Sequence, residues 1–282
     1  MTLLAGAVLG ATAALVIWIG MQPVFARPVF TRQNYRDVSL PTSVGLVIPL
    51  ASVAALAGLT LLTTLGWRPD RAGLVALGAT TTATLGFGLL GMLDDVAVDE
   101  GASGYRGHIA ALARGRLSAG SLKMVAGPAV ALIVVAPVSN DSAIRLVLDG
   151  ALVALAANLA NLFDRAPGRV AKVSLLAAAV LVGVTAAAPT LLGVAVVSGA
   201  LLALVVPDLR ERLMLGDAGA NPIGAALGLG VVLTCEVSTR NWVIVALFAL
   251  NLLSERVSFS RVIDRVGPLR VLDRLGRARP ER

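Results

Sequence analysis

The stretch GLVALGATTTATLGFGLLGMLDD, from Gly73 to Asp95, runs uncharged to Leu93 and then ends on two adjacent carboxylates, Asp94 and Asp95. A transmembrane helix needs about 20 mostly apolar residues, so this stretch has the length of one span. Two ionisable groups at the mouth of such a segment are costly unless they face water, a cation or a polar partner. Asp94 and Asp95 therefore mark a candidate site, and the rest of the chain reads as the scaffold that presents them.

Composition agrees with that reading. Of 282 residues, 57% are hydrophobic and only 15% charged, with a mean hydropathy of +0.84, far from the mixture of a soluble domain. Nine candidate runs stand out, at 2–24, 43–65, 73–93, 121–138, 143–162, 173–188, 190–206, 222–238 and 240–254. They lack strand-like alternation, and their Ala, Leu, Gly and Val mixture suits closely packed membrane helices. The expectation is an all-α polytopic transmembrane bundle of about nine spans. Residues 1–254 form the membrane domain and 255–282 a basic amphipathic tail. The first run resembles a signal peptide but has no basic leading region and is followed by eight more spans. Gly183, Gly193 and Gly199 would permit close helix contacts within the chain or in a homodimer.

Orientation follows from the basic residues. If the stretches after odd-numbered spans are cytoplasmic, they hold 20 of the 24 Lys and Arg, leaving Arg68, Arg71, Arg145 and Arg240 on the other side. The positive-inside rule then puts the amino terminus outside and the carboxy terminus in the cytoplasm. The net charge of +7 is thus a topology signal, aided by anionic lipid headgroups. No nucleic-acid recognition motif accompanies it. A single cysteine, Cys235, excludes an intramolecular disulfide and a cysteine zinc cluster.

Three further polar clusters fall on the same expected face. The loop after Asp95 carries Arg106, His108, Arg114, Arg116 and Lys123, guanidinium and ammonium groups suited to phosphate oxygens. His108 is the lone histidine, so neither a His-based zinc site nor a hydrolytic triad is available. Asn158, Asn161 and Asp164 recur every third residue at the end of the fifth run, on one slowly drifting helical face. Gly216-Asp217-Ala218-Gly219-Ala220-Asn221 leads into the eighth run, with glycines permitting close ligand approach. Mg²⁺ prefers hard oxygen ligands and is usually held by one or two carboxylates with phosphates and water. Asp94, Asp95, Asn161, Asp164 and Asp217 supply such oxygens, and phosphoryl transfer asks for this combination.

Together these segments resemble the polyprenyl-phosphate N-acetylhexosamine-1-phosphate transferases. Gly91-Met92-Leu93-Asp94-Asp95 is similar to that family's aspartate pair, Asn158 to Asp164 to its NxxNxxD segment, and Gly216 to Asn221 to its GDxGS segment. Three in the family's order, at alternate span ends, make the resemblance specific, and it covers nearly the whole chain. It implies transfer of a sugar 1-phosphate from a UDP-N-acetylhexosamine to polyprenyl phosphate, with Mg²⁺, at the cytoplasmic face of a bacterial inner membrane, for cell-envelope glycopolymer synthesis. By that resemblance Asp217 holds the metal with Asn161 as a second ligand. Asp94 or Asp95 orients or deprotonates the lipid phosphate, and Asn158 with Asp164 lines the nucleotide site. Arg106, His108 and Lys123 are the expected substrate-binding groups of the preceding loop. The chain departs from the family where Arg165 replaces a glycine, Pro167 a second acid and Val98 a lysine, and where Glu255 to Arg261 replaces a His-rich stretch. Those departures leave a second reading open, a catalytically silent relative that binds polyprenyl phosphate or a nucleotide sugar, or acts as a scaffold in an envelope-assembly complex.

Overall fold

The computed structural model describes residues 3–67, 70–97 and 119–278. Within them, long helices fall on all nine expected runs: α1 (Leu3–Phe25), α2 (Val47–Thr64), α3 (Arg71–Val96), α4 (Ala119–Ser139), α5 (Ala143–Phe163), α6 (Arg169–Val184), α7 (Leu192–Leu209), α8 (Asp217–Thr234) and α9 (Val237–Ser254). Two short helices, α10 (Phe259–Arg265) and α11 (Gly267–Arg274), form the tail. Seven of the long helices in the described residues are long and apolar enough to cross a membrane; α6 and α8 are not among them. The 16 residues of α6 reach only about 24 Å against a hydrocarbon core of about 30 Å. Helix α8 opens with Asp217, carries Asn221 and is buried from Ala218 through Ala226. Its neighbours shield it, so its own composition need not satisfy lipid.

That shielding sets the architecture. Helix α8 lies between α3 and α5, α4 fills the other side of that pair, and α7 packs on α1, α2 and α3. Helix α9 rests on α5 and buries none of its residues. Phe25, Ile48, Leu201, Leu204 and Ile223 centre one core cluster, while Phe87, Val135, Leu152 and Leu229 centre another. Lipid tails are as apolar as these side chains, so association depends on close packing. At the α1–α7 crossing a Cβ at Gly10 would strike the Val196 backbone, and one at Gly199 would strike the backbone of Ala7. Two glycines thus let the helices touch backbone to backbone. Gly193 is similarly committed against Thr80, whereas Gly183 faces open space.

Polar residues secure the helix ends. Asp70 caps α3 by accepting from Gly73 N at 2.8 Å, and Ser142 caps α5 through Arg145 N at 3.1 Å, the usual solution for orphan amides. At that same end of the bundle the fully buried Asp149 accepts from Ser139 at 2.7 Å, Arg145 at 2.5 Å and Arg240 at 2.9 Å. Two of the four arginines assigned to the outer side by charge counting therefore meet on one buried acid, tying α4, α5 and α9.

The opposite end carries more irregular structure. A hairpin pairs β1 (Thr31–Gln33) antiparallel with β2 (Ser39–Pro41), Thr31 opposite Pro41. Asn34 Oδ1 closes its turn by accepting from Arg36 N and Val38 N, and the hairpin continues into Met214, whose N–H donates to Pro41 O at 2.7 Å. The tail breaks near Gly267-Pro268 and folds back on the α5–α6 turn. Asp273 accepts from Arg169 Nε and Nη2 at 2.8 and 3.0 Å and pairs with Arg277 at 2.6 Å. Leu269, Val271, Leu272 and Leu275 remain exposed, so the tail turns its polar face inward and its apolar face out.

Replacing Gly199 with Leu should push α1 off α7 and lower the melting temperature in detergent by several degrees, since overpacking costs about 1–3 kcal/mol. Gly183→Leu should melt like the parent. Burial raises the Asp273 carboxyl, but the Arg169 hydrogen bonds and the Arg169 and Arg277 charges outweigh it and hold it below the usual carboxylate range. A depressed pKa gives stability that is present above the unfolded value and lost as pH falls through the folded one. Acidification below that usual range should therefore release the tail to trypsin, and Asp273→Asn should release it at neutral pH as well.

Candidate functional site

The site is built where α3 ends and α8 begins. Gly91 makes the approach possible, since a Cβ there would strike the Asp217 carbonyl and the Ala218 nitrogen. One turn on, Asp95 meets the first turn of α8. Its Oδ1 accepts from Asp217 N at 2.9 Å, and its Oδ2 accepts from Ala218 N at 3.1 Å and from Ser43 Oγ at 2.9 Å. Helix α8 has no side-chain cap of its own because Gly216 precedes it, at φ +68. A side chain at Gly216 would also collide with the Asp95 carboxylate. Asp95 is therefore a cap supplied from another helix, its oxygens committed to three donors.

Asp94 is differently occupied. Its Oδ2 lies 3.4 Å from Lys123 Nζ, and the same ammonium pairs with Asp217 Oδ2. Asn161 Nδ2 donates to that Asp217 oxygen at 2.9 Å. Four residues from four helices thus converge on one point, with Asp94, Asp217 and Lys123 side chains 32, 21 and 20% exposed, open enough for a solute to reach.

Next to this cluster lies a polar chamber of about 270 Å³ bounded by the hairpin residues Gln33 to Tyr35, the Asp164–Pro167 turn, Asp208, Glu211 and Asp217. Burial of the Asp164 carboxyl pushes it well above the usual carboxylate range, with the charges of Asp208, Asp217 and Asp95 adding to the effect. The Gly216 N–H donated to it works in the opposite direction. Asn34 and Arg36 both bind Glu211, which sits in the left-handed region at φ +51, so the hairpin is clasped to the end of α7. Beside Asn161 an apolar groove of about 180 Å³ runs between α5, α6, α8 and α9, lined by Phe163, Val173, Leu227, Val243 and Leu247 among others.

Of the residues expected from sequence, Asp94, Asp95, Asn161, Asp217 and Lys123 come together and Asp164 borders the adjoining chamber. Asn158 does not join them. Its amide donates to Asn251 of α9 at 2.6 Å, and Asn251 bonds in turn to Leu155 O and Leu247 O, so Asn158 serves helix packing. Arg106 and His108 lie outside the described residues. Sequence reading missed Ser43, Arg36, Asp208 and Glu211, and gave Asn221, the last residue of its Gly216–Asn221 segment, no role. Asp208 and Glu211 had a signal, as acids at the end of an apolar run like Asp94, but no motif singled them out.

Among the described residues no group of three or more His, Cys, Asp or Glu side chains is assembled for a metal. Mg²⁺ does not require one, since one or two carboxylates with water and phosphate suffice. Asp94 and Asp217 already share one cationic group, Lys123, so their donor set suits a cation. Asn161 would have to turn its amide to offer oxygen.

No protein-family model matches this chain, and no curated protein is detectably similar to it.

The two neighbouring aspartates should separate experimentally. Asp95→Asn would keep one acceptor oxygen but set an amide donor against one of the two α8 N–H groups and leave it unpaired, a loss of about 1–3 kcal/mol read as a lower melting temperature. Asp94→Asn should leave melting close to the parent while weakening whatever function the cluster performs.

Proposed function

We propose that this protein transfers a sugar 1-phosphate from a UDP-N-acetylhexosamine to polyprenyl phosphate, with Mg²⁺, at the cytoplasmic face of a bacterial inner membrane. The orientation follows the charge bias, with the amino terminus outside, the carboxy terminus inside and nine spans, the shielded α8 and short α6 included. The observation that carries the reading is the meeting of the three motif segments at Asp217, through Asp95 and Asn161, joined by Lys123 of the basic loop cluster. Segments 122 and 56 residues apart in sequence converge there.

The chemistry asks for attack by a lipid phosphate oxygen on the sugar-bearing phosphorus and departure of UMP as the bond to its phosphate breaks. A cation at Asp217 and Asn161 would neutralise the diphosphate charge. Lys123 is placed to pair with a phosphate oxygen, and Asp94 to take up a proton from the acceptor phosphate or to orient it. The polar, acid-lined chamber suits the uncharged hydrogen-bonding end of the donor; phosphates would be repelled there unless neutralised. The apolar groove suits a prenyl chain. The product would feed envelope glycopolymer synthesis.

One observation favours the second reading. Lys123 already pairs with both Asp94 and Asp217 and offsets one of their two charges, a contact that a silent binding protein or scaffold would keep. Purified protein in detergent, given undecaprenyl phosphate, Mg²⁺ and a panel of UDP-sugars, should release UMP and form one new lipid-linked sugar by mass spectrometry. Asp217→Ala should abolish turnover, because losing the ion that neutralises a transferring phosphate costs several kcal/mol in the transition state. Lipid-phosphate binding with no turnover on any donor would replace this reading with the silent one.

A further inference from the structure

Asn221 is 1% exposed, yet among the described residues neither its amide nitrogen nor its amide oxygen has a hydrogen-bond partner. Burying an amide unpaired costs about 1–3 kcal/mol, so such a group calls for something that it binds. Its place on α8 indicates what. Asn221 follows Asp217 by four residues and so lies on the same helical face, one turn further into the bundle. Its neighbours on that face fix the direction. Gly224 and Gly228 lie against Ala156 and Val153 of α5, and Ala225 packs in the cluster that holds Phe87 of α3 and Ala157 of α5. Ala157 is in turn one helical turn below Asn161. Asn221 therefore sits in the seam between α5 and α3, beneath the point where Asn161 and Lys123 reach Asp217.

We propose that Asn221 is the floor of a divalent-cation site whose protein carboxylate is Asp217. The amide, one turn away, is placed to hold a water of the hydrated ion and is a positioning residue. Mg²⁺ keeps several of its waters when bound, so a site for it needs such outer partners as well as direct ligands. The idea rests on the reading of Asp217 as a cation ligand.

Titration of the purified full-length protein in detergent with Mn²⁺, followed by electron paramagnetic resonance, tests it without reference to turnover. Asn221→Leu keeps the branched shape, with bulkier methyl groups, and removes the amide. It should weaken Mn²⁺ binding about 10- to 100-fold, the range for lost outer partners. Asn221→Asp, nearly isosteric, should tighten Mn²⁺ binding and decides the matter if the Leu variant does not fold. Mn²⁺ affinity within about twofold of the parent in both variants would overturn the role of Asn221 if Asp217→Asn abolishes binding. Mn²⁺ binding that survives Asp217→Asn would overturn the cation site itself, and this role with it.

Discussion

The carboxylate of Asp95 at the start of α8 is the contact on which the remaining site geometry depends. A helix N-terminus presents unpaired N–H groups and partial positive charge, and α8 begins deep between other helices with a glycine in front of it. Its cap has to come from elsewhere. By accepting from Asp217 N, Ala218 N and Ser43 Oγ together, Asp95 fixes the end of α3, the start of α8 and the entry to α2 relative to one another. Apolar packing in lipid would leave sliding along α3 and α8 weakly opposed. A charged, three-donor contact opposes it strongly. Ser43 adopts the left-handed conformation at φ +58 to reach Asp95, and the flanking backbone holds it there, with Gly45 N donating to Leu215 O at 3.0 Å.

Two outer pieces brace the same region from opposite sides. The hairpin reaches Glu211 at the end of α7 through Asn34 and Arg36. The tail reaches the α5–α6 turn, where Arg169 and Arg277 hold Asp273, Arg277 Nε donates to Pro167 O at 3.1 Å and Phe259 stacks on Phe163 at 5.3 Å between ring centroids. Both braces are charge-assisted contacts made between segments far apart in sequence. Each holds one wall of the polar chamber, so the turn carrying Asp164 is positioned by the tail as well as by α5.

The membrane class, the helix runs and the convergence of the aspartate pair with Asn161 and Asp217 were all legible in the sequence. Long apolar runs and acids at their ends are local signals, and helical spacing places them. Roles within the cluster were not legible. Asp94 and Asp95 look alike in sequence, yet successive helical residues point about 100° apart, and only packing decides which one meets the α8 amides. Asn158 and Asn161 share a face by spacing of three, but the drift of that face gives one to α9 and the other to Asp217. The amphipathic tail was legible as apolar and basic. That its acid, Asp273, would find Arg169 more than 100 residues earlier depends on tertiary structure alone. The hairpin was missed because three-residue strands carry too few alternations to show a period.

The charge arrangement around Lys123 sets how such a site responds to its ligands. Two unit charges at about 4 Å attract by about 4 kcal/mol at an effective dielectric of 20, so the ammonium between Asp94 and Asp217 is a strong internal competitor for any cation. It is also the group best placed to meet an incoming phosphate. Under the proposed function, a phosphate that drew Lys123 toward itself would uncover the two carboxylates, so anion and cation binding would be coupled through that one side chain. Asp95 cannot take part in that exchange, because its oxygens are held by the start of α8. The adjacent acids thus divide between two tasks: one fixes the frame, and the other is left free to change partners.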